Sequence, residues 1–339
     1  MTPILQIRGL EQRFDASGSF FDRLQWRNGR LSAPRRIVHA VNGVSLEIAR
    51  GEVLGLVGES GCGKSTLAKT AIKLHEPTAG RIILDGEDIT DHGFREMRPV
   101  RRKMQMIFQD PYASLNPRQR VRDIVAEPYL EGAGITKAEG AERARDLLAK
   151  VGLGPEHADR YPHQFSGGQR QRIGIARAMS VNPDLIIADE PVSALDVSIQ
   201  AQILNLMMDL KEEMGFSYLF ITHDLSVVRH ISDRIGVMYL GFLVETGTTE
   251  AIFEDPKHPY TRALLAAAPS LGAPLPPAAD EIQGEVPSAL DLPSGCPFRT
   301  RCPLAFDRCA RERPALLPQG GGHVVACHLH EASAVADAA

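Results

Sequence analysis

The nine residues Gly58-Glu-Ser-Gly-Cys-Gly-Lys-Ser-Thr66 constrain this chain more than any other stretch. They satisfy the P-loop pattern: a glycine, four residues, then Gly63, Lys64 and Ser65. The preceding Glu52–Val57 reads as a strand and the following Lys64–Leu74 as a helix. A chain with this run must therefore fold a strand, a tight turn and a helix in succession, with the turn open to an anion. Glycines Gly58, Gly61 and Gly63 let the backbone wrap closely round phosphate oxygens. The amides from Ser60 to Thr66 point inward, and the helix presents its positive end to the same anion. Lys64 is placed to reach β- and γ-phosphates and Ser65 to ligate Mg2+. Cys62, inside the loop, reads as a small tolerated residue rather than a nucleophile.

Two further motifs follow at consistent intervals. Leu185-Ile-Ile-Ala-Asp-Glu-Pro191 is an apolar run suited to a buried parallel strand, and it sets Asp189 at the strand's exposed end. There a carboxylate can hold hydrated Mg2+, and the neighbouring Glu190 can polarise an attacking water. Many strands end in Asp, so the motif gains its meaning from the P-loop upstream. Phe165-Ser-Gly-Gly-Gln169 precedes a helical stretch, Gln169–Met179. Ser166 with the amides of Gly167 and Gly168 makes a second candidate anion site at a helix N-terminus. The plainer alternative is a serine N-cap.

Around these motifs strand and helix patterns alternate. Val44–Ile48, Arg81–Leu84, Met104–Phe108 and Tyr218–Ile221 read as strands, and Val121 to about Val151 is helical in character. Thr136 and Glu139 form a capping box for a Lys137–Val151 helix. Ile199, Ile203, Leu206, Met207 and Leu210 fall at helical spacing as a core-facing stripe. The alternation predicts an α/β fold with a mainly parallel sheet. Residues 15–36 show no periodicity and read as a loop insertion; its arginines could touch lipid head groups or a partner, or simply be solvated. Pro and Gly rise after Ala268, marking a linker or irregular arm.

Composition excludes some functions. Lys and Arg number 38 against 42 Asp and Glu, a formal charge of −4, which does not suit a sequence-independent nucleic-acid binder. No run approaches the ~18 apolar residues of a membrane span. Arg8, Glu11 and Arg13 interrupt any apolar leader, so the expectation is a protein kept in the cytoplasm.

Together these motifs resemble the ABC ATPase family, over about Leu5 to His328. The fold implied is a P-loop core with an antiparallel β subdomain and a helical subdomain. Phe165-Ser-Gly-Gly-Gln169 is similar to the ABC signature, with Phe165 where most members have Leu. Gln109 resembles the Q-loop glutamine that senses the metal, Ser193-Ala-Leu-Asp196 the D-loop, and His223 the switch histidine that contacts the γ-phosphate. A histidine after a strand is usually structural; its spacing from Glu190 favours the functional reading. Phe14 is similar in position to the aromatic that stacks on adenine. The resemblance implies ATP as ligand, Mg2+ held by Ser65, Gln109 and Asp189, and Glu190, His223 and Gln109 as catalytic residues. It also implies a second ATPase subunit, whose ATP lies against Ser166, Gly167, Gly168, Gln169 and Asp196.

The runs Phe108–Pro117, Ser193–Gln202 and His258–Arg262 narrow the resemblance to the dipeptide and oligopeptide importers, and Tyr112 with the insertion after Phe14 to the F-type ATPase of heterodimeric members. That branch implies a paralogous partner ATPase, two integral membrane permeases, a separate substrate-binding protein, and a place at the cytoplasmic face of the inner membrane. Nickel and glutathione importers share these features. A soluble ABC ATPase acting on ribosomes or DNA is the alternative of another class, but neither a second cassette nor a long coiled coil is visible. The expected division is an ATPase domain at 1–254 (helical subdomain about 110–180), an importer-type extension at 255–330 and a tail at 331–339.

The extension holds Cys296, Cys302, Cys309 and Cys327, separated by five, six and seventeen residues. Two disulfides suit a secreted protein. Zinc usually takes cysteine pairs ~2–4 residues apart, which do not occur here. Four thiolates can also hold an iron–sulfur cluster. The importer resemblance implies a [4Fe–4S] cluster of structural role, with zinc as the alternative and His323 and His328 as spare donors.

Overall fold

The computed structural model describes residues 2–17, 25–27, 30–32, 35–130, 136–267 and 284–331. Two sheets form its frame. In the first, β1 (Leu5–Asp15) pairs antiparallel with β4 (Ile37–Ile48) on one side and β6 (Ala79–Leu84) on the other, and β7 (Glu87–Asp88) closes that edge. Between β1 and β4, β2 (Gln25–Arg27) pairs antiparallel with β3 (Arg30–Ser32). The segment expected to lack regular structure thus holds a short ladder.

The second sheet has eight strands. Five are parallel, side by side: β8 (Met104–Ile107), β9 (Leu185–Asp189), β10 (Ser217–Ile221), β5 (Val53–Val57) and β11 (Arg234–Tyr239). Every residue of β5, β9 and β10 is buried, as expected of strands covered on both faces. On one face, Leu54, Leu56, Ile187, Leu219 and Ile221 pack against Ile7, Leu10 and Val44 of the first sheet. On the other, Val53, Ile186, Tyr218 and Phe220 share a core with the helices. The mixed α/β architecture with a separate antiparallel sheet is the one the motifs predict.

Helices fill the connections. The expected Lys64–Leu74 helix is α1 (Lys64–Ala71), shorter because Lys73 takes a left-handed φ of 58°. The region 110–180 carries α3 (Pro111–Ser114), α4 (Val121–Leu130), α5 (Lys137–Lys150) and α6 (Gly167–Met179), following α2 (Met97–Lys103). The capping box of α5 forms as expected, with the Thr136 amide donating to Glu139 at 2.7 Å and the Glu139 amide to Thr136 Oγ1 at 3.3 Å. The apolar stripe lies on α7 (Val197–Met214), burying Ile203, Met207 and Leu210.

The C-terminal part is joined to the same sheet. β12 (Phe242–Thr248) pairs antiparallel with β11, then with β14 (Val324–Val325), which pairs with β13 (Leu317–Pro318). The fully buried Glu245 of β12 accepts hydrogen bonds from the amides of Lys257 (2.6 Å) and His258 (3.1 Å) and from His323 Nε2 (2.7 Å). The rings of Tyr239, Tyr260 and Phe298 pack together in tilted and edge-on pairs with centroids 4.7–5.4 Å apart. No helix among the described residues is long and apolar enough to cross a membrane.

Candidate functional site

The strand–turn–helix at Gly58–Thr66 sits at the C-terminal end of β5, on the rim of a cavity of about 980 Å3. Its glycines are required by close approach. A Cβ on Gly58 (φ 154°) would stand 2.2 Å from the Met238 carbonyl oxygen, and one on Gly63 (φ 103°) 2.1 Å from that of Ala40. Lys64 is buried, and its ammonium donates to the carbonyls of Gly58 (2.8 Å) and Glu59 (3.0 Å). Ser60, Gly61, Gly63, Lys64, Ser65 and Thr66 all line the cavity; Gly58 and Cys62 do not. Burial pushes the Cys62 thiol up, against the pull of Lys64, which suits a packed residue and not a nucleophile.

Strand ends bring Gln109, Glu190 and His223 to the same opening, while Asp189 lines a second cavity that Gln109 also borders. The Ser65 hydroxyl donates to Asp189 Oδ1 at 2.7 Å, joining α1 to β9. Burial raises the Asp189 carboxyl despite that bond, with Glu190 adding to the rise. Gln109 Nε2 donates to Glu190 Oε2 at 2.9 Å, and His223 Nδ1 stands 3.4 Å from Glu190 Oε1. Glu190 itself has a left-handed φ of 46°, a costly conformation for a non-glycine residue that the surroundings must enforce. Its amide donates to the Ile221 carbonyl at 2.9 Å, which pins it to the end of β10. Phe14 reaches the cavity from β1, its ring edge-on to His75 at 5.2 Å.

The signature residues do not share this cavity. Ser166 is the N-cap of α6 in a reciprocal capping box with Gln169, at 3.0 and 3.4 Å. Gly167 and Gly168 open that helix, and a Cβ on Gly168 would stand 2.6 Å from Ile199 of α7. Asp196 is the N-cap residue of α7, with no side-chain cap bond. Of the D-loop, Ser193 and Ala194 line the cavity, and the Ser193 hydroxyl donates to the Glu190 carbonyl at 3.1 Å.

Cys296, Cys302, Cys309 and Cys327 are all free thiols, and they line one small cavity of about 20 Å3 together with His258 and His328. Burial pushes Cys296 up to about 11 and Cys327 up to about 12, and the neighbouring thiols add to both. Among the described residues no three His, Cys, Asp or Glu side chains come close enough together to hold a single metal ion. Of the two spare histidines, His323 is engaged with Glu245 and lies outside this cavity, and both ring nitrogens of His328 are occupied by Glu331 and the Glu312 carbonyl.

Four residues near the P-loop were not singled out from sequence. Ala289 lines the large cavity, and its carbonyl accepts from the His39 amide at 2.9 Å. Glu59 is bonded by Tyr260 and by Arg301, both from beyond residue 254. No motif flags such pairs, because their partners are some two hundred residues apart.

Comparison with known proteins gives the family. A family model for ABC transporters matches residues 41–193, and one for the oligopeptide/dipeptide transporter C-terminal region matches residues 244–309. The chain is 50% identical to the oligopeptide transport ATP-binding protein AppF of Bacillus subtilis (strain 168), over 96% of this chain and 97% of that protein. It is 48% identical to the dipeptide transport ATP-binding protein DppF of Escherichia coli (strain K12), over 96% and 94%. Among solved structures, the dimeric bacterial ABC transporter cassette MJ0796 aligns with a TM-score of 0.62 at 29% identity, over 72% of this chain and 98% of that one. MJ0796 has also been solved in a post-hydrolysis state bound to ADP and Pi, which aligns with a TM-score of 0.61 at 29% identity, over 72% and 98%. The chain therefore belongs to the ABC transporter family, as an ATP-binding subunit of the oligopeptide/dipeptide type.

Proposed function

We infer that this chain hydrolyses ATP to drive import of dipeptides or oligopeptides through a membrane transporter. One observation carries the reading: Lys64 and Ser65 of the P-loop face the linked trio Gln109, Glu190 and His223 across a single large cavity. Phe14 receives the adenine, and the loop amides with Lys64 hold the phosphates. The Ser65 hydroxyl and Asp189 carboxylate are hard oxygen donors already in contact, a donor set that suits Mg2+, with Gln109 beside them. When bound, Mg2+ neutralises charge developing on the phosphates. Glu190 orients the attacking water and accepts its proton, Gln109 holds Glu190 in place, and His223 faces the γ-phosphate.

The same reading assigns partners. Ser166, Gly167, Gly168, Gln169 and Asp196 meet the nucleotide of a second, paralogous ATPase. Two permeases and a separate substrate-binding protein complete an importer at the cytoplasmic face of the inner membrane. Residues 1–254 act as the ATPase unit, with 110–180 as its helical part, and 255–330 as its extension. The names of AppF and DppF support peptides over nickel or glutathione. In the extension, Cys296, Cys302, Cys309 and Cys327 hold a [4Fe–4S] cluster. Four unpaired thiols round one cavity support this. When bound, a cluster would take one thiolate from each of the four cysteines and tie the extension's loops together. Protein purified without oxygen is then brown and contains iron; one zinc per chain gives the site to zinc instead.

Reconstitution with its permeases and binding protein in proteoliposomes tests the main reading. ATP-dependent uptake of labelled peptides is expected. ATP turnover stimulated by nickel or glutathione, and not by peptides, would reassign the cargo.

A further inference from the structure

Glu59, the second residue of the P-loop, is held from three directions. Its amide donates to the Tyr260 hydroxyl at 2.9 Å. Its carbonyl accepts from Lys64 Nζ at 3.0 Å and from the Cys62 amide at 3.2 Å. Its carboxylate takes both arms of the Arg301 guanidinium, Nη1 at 2.8 Å and Nη2 at 3.1 Å. Arg301 is 9% exposed and comes from the loop between Cys296 and Cys302. It also lies over the Tyr239 ring, 5.8 Å from the centroid. The cysteine-bearing loop, remote in sequence from every nucleotide residue, is thus wired directly to the phosphate cradle.

We propose that Arg301 is a positioning residue for nucleotide binding, clamping Glu59 so that the P-loop turn keeps its phosphate-receiving shape and its acidic side chain stays neutralised. Two physical consequences follow. A planar bidentate pair fixes orientation as well as distance, so the first turn of the loop cannot roll. The carboxylate also sits one residue from Ser60, which lines the cavity. Left without Arg301, it would repel the polyanion the loop must accept. The structural role expected for the extension therefore widens to one in ATP affinity.

The proposal rests on the P-loop being the nucleotide site, and the test separates the two. Binding of MgATP to the full chain, and KM against kcat in the assembled transporter, are measured for Arg301→Met, Arg301→Lys, Arg301→Met with Glu59→Gln, and Lys64→Ala. Arg301→Met is expected to raise the dissociation constant and KM about tenfold, with a much smaller fall in kcat. Adding Glu59→Gln recovers most of that loss by removing the stranded charge. Arg301→Lys, keeping charge but not the fork, falls between. A purely structural arginine would lower the melting temperature without that rescue, and such a result overturns the proposal. So does unchanged affinity in Arg301→Met while Lys64→Ala binds poorly. Normal binding by Lys64→Ala would instead sink the P-loop reading, and this proposal with it. If Arg301→Met does not fold, Arg301→Lys with and without Glu59→Gln decides by the same criterion.

Discussion

Glu190 closes β9 with its φ at 46°, its carboxylate shared by Gln109 and His223. Backbone strain of this kind persists only where neighbours over-determine it, here through the hydrogen bond its amide donates to the Ile221 carbonyl and the Ser193 hydroxyl on its own carbonyl. Glu190→Gln keeps the shape and one hydrogen-bonding oxygen but loses the group that can take a proton from water. Steady-state ATP turnover of the assembled transporter is expected to fall by about 10²–10⁴-fold, with MgATP still bound by the isolated chain. Near-normal turnover would remove Glu190 from that role. Asp189 and Glu190 were legible because an apolar run ends at them, and Lys64 and Ser65 because glycines bracket them. The convergence of Gln109, Glu190 and His223 was legible only through resemblance, since three separate strand ends supply it. The strain at Glu190 and the Arg301–Glu59 clamp leave no mark in the order of residues.

Among elements, β12 decides how the extension is attached. Glu245 points into the interior and gathers the amides of Lys257 and His258 and the ring of His323. Burial pushes its carboxyl up, but the bonds from His323 and those two amides help outweigh burial and hold it below 4.5. A carboxyl lowered on folding gives stability that is complete above its unfolded value near 4.5 and is lost as pH falls through the lower folded value. Glu245→Gln is expected to cost about 1–3 kcal/mol near neutrality, because buried donors lose a charged acceptor. It should also flatten the decline in stability below pH 4.5. Urea unfolding of both proteins between pH 7 and pH 3 checks this, and parallel acid limbs would exclude Glu245 as the titrating group. The long alternating elements were readable from their apolar periods. The strands that join the extension to the sheet were not: β13 and β14 have two residues each, too few to show a period. Either side of residue 254, the rings of Tyr239, Tyr260 and Phe298 are packed together.

At the scale of the whole molecule, the residues that open α6 lie outside the cavity that the P-loop lines. The cavity takes the P-loop, Glu190 and His223, while Ser166, Gly167 and Gly168 open α6 away from it. MJ0796, whose fold this chain shares, was solved as a dimer. Ser166→Arg tests the arrangement in which this signature serves a partner's ATP. The substitution removes the cap of α6, worth about 1 kcal/mol, and plants a bulky cation at that helix terminus. Ser166→Ala removes the cap alone and so separates the two effects. MgATP binding to the isolated Ser166→Arg chain should match that of the unaltered chain, because Ser166 does not line the cavity that its own P-loop borders. In the transporter assembled with an unaltered partner ATPase, turnover at the site completed by this signature should disappear, while Ser166→Ala retains a measurable part of it. If Ser166→Arg instead abolishes nucleotide binding in the isolated chain, the signature acts on its own P-loop and the trans arrangement is wrong.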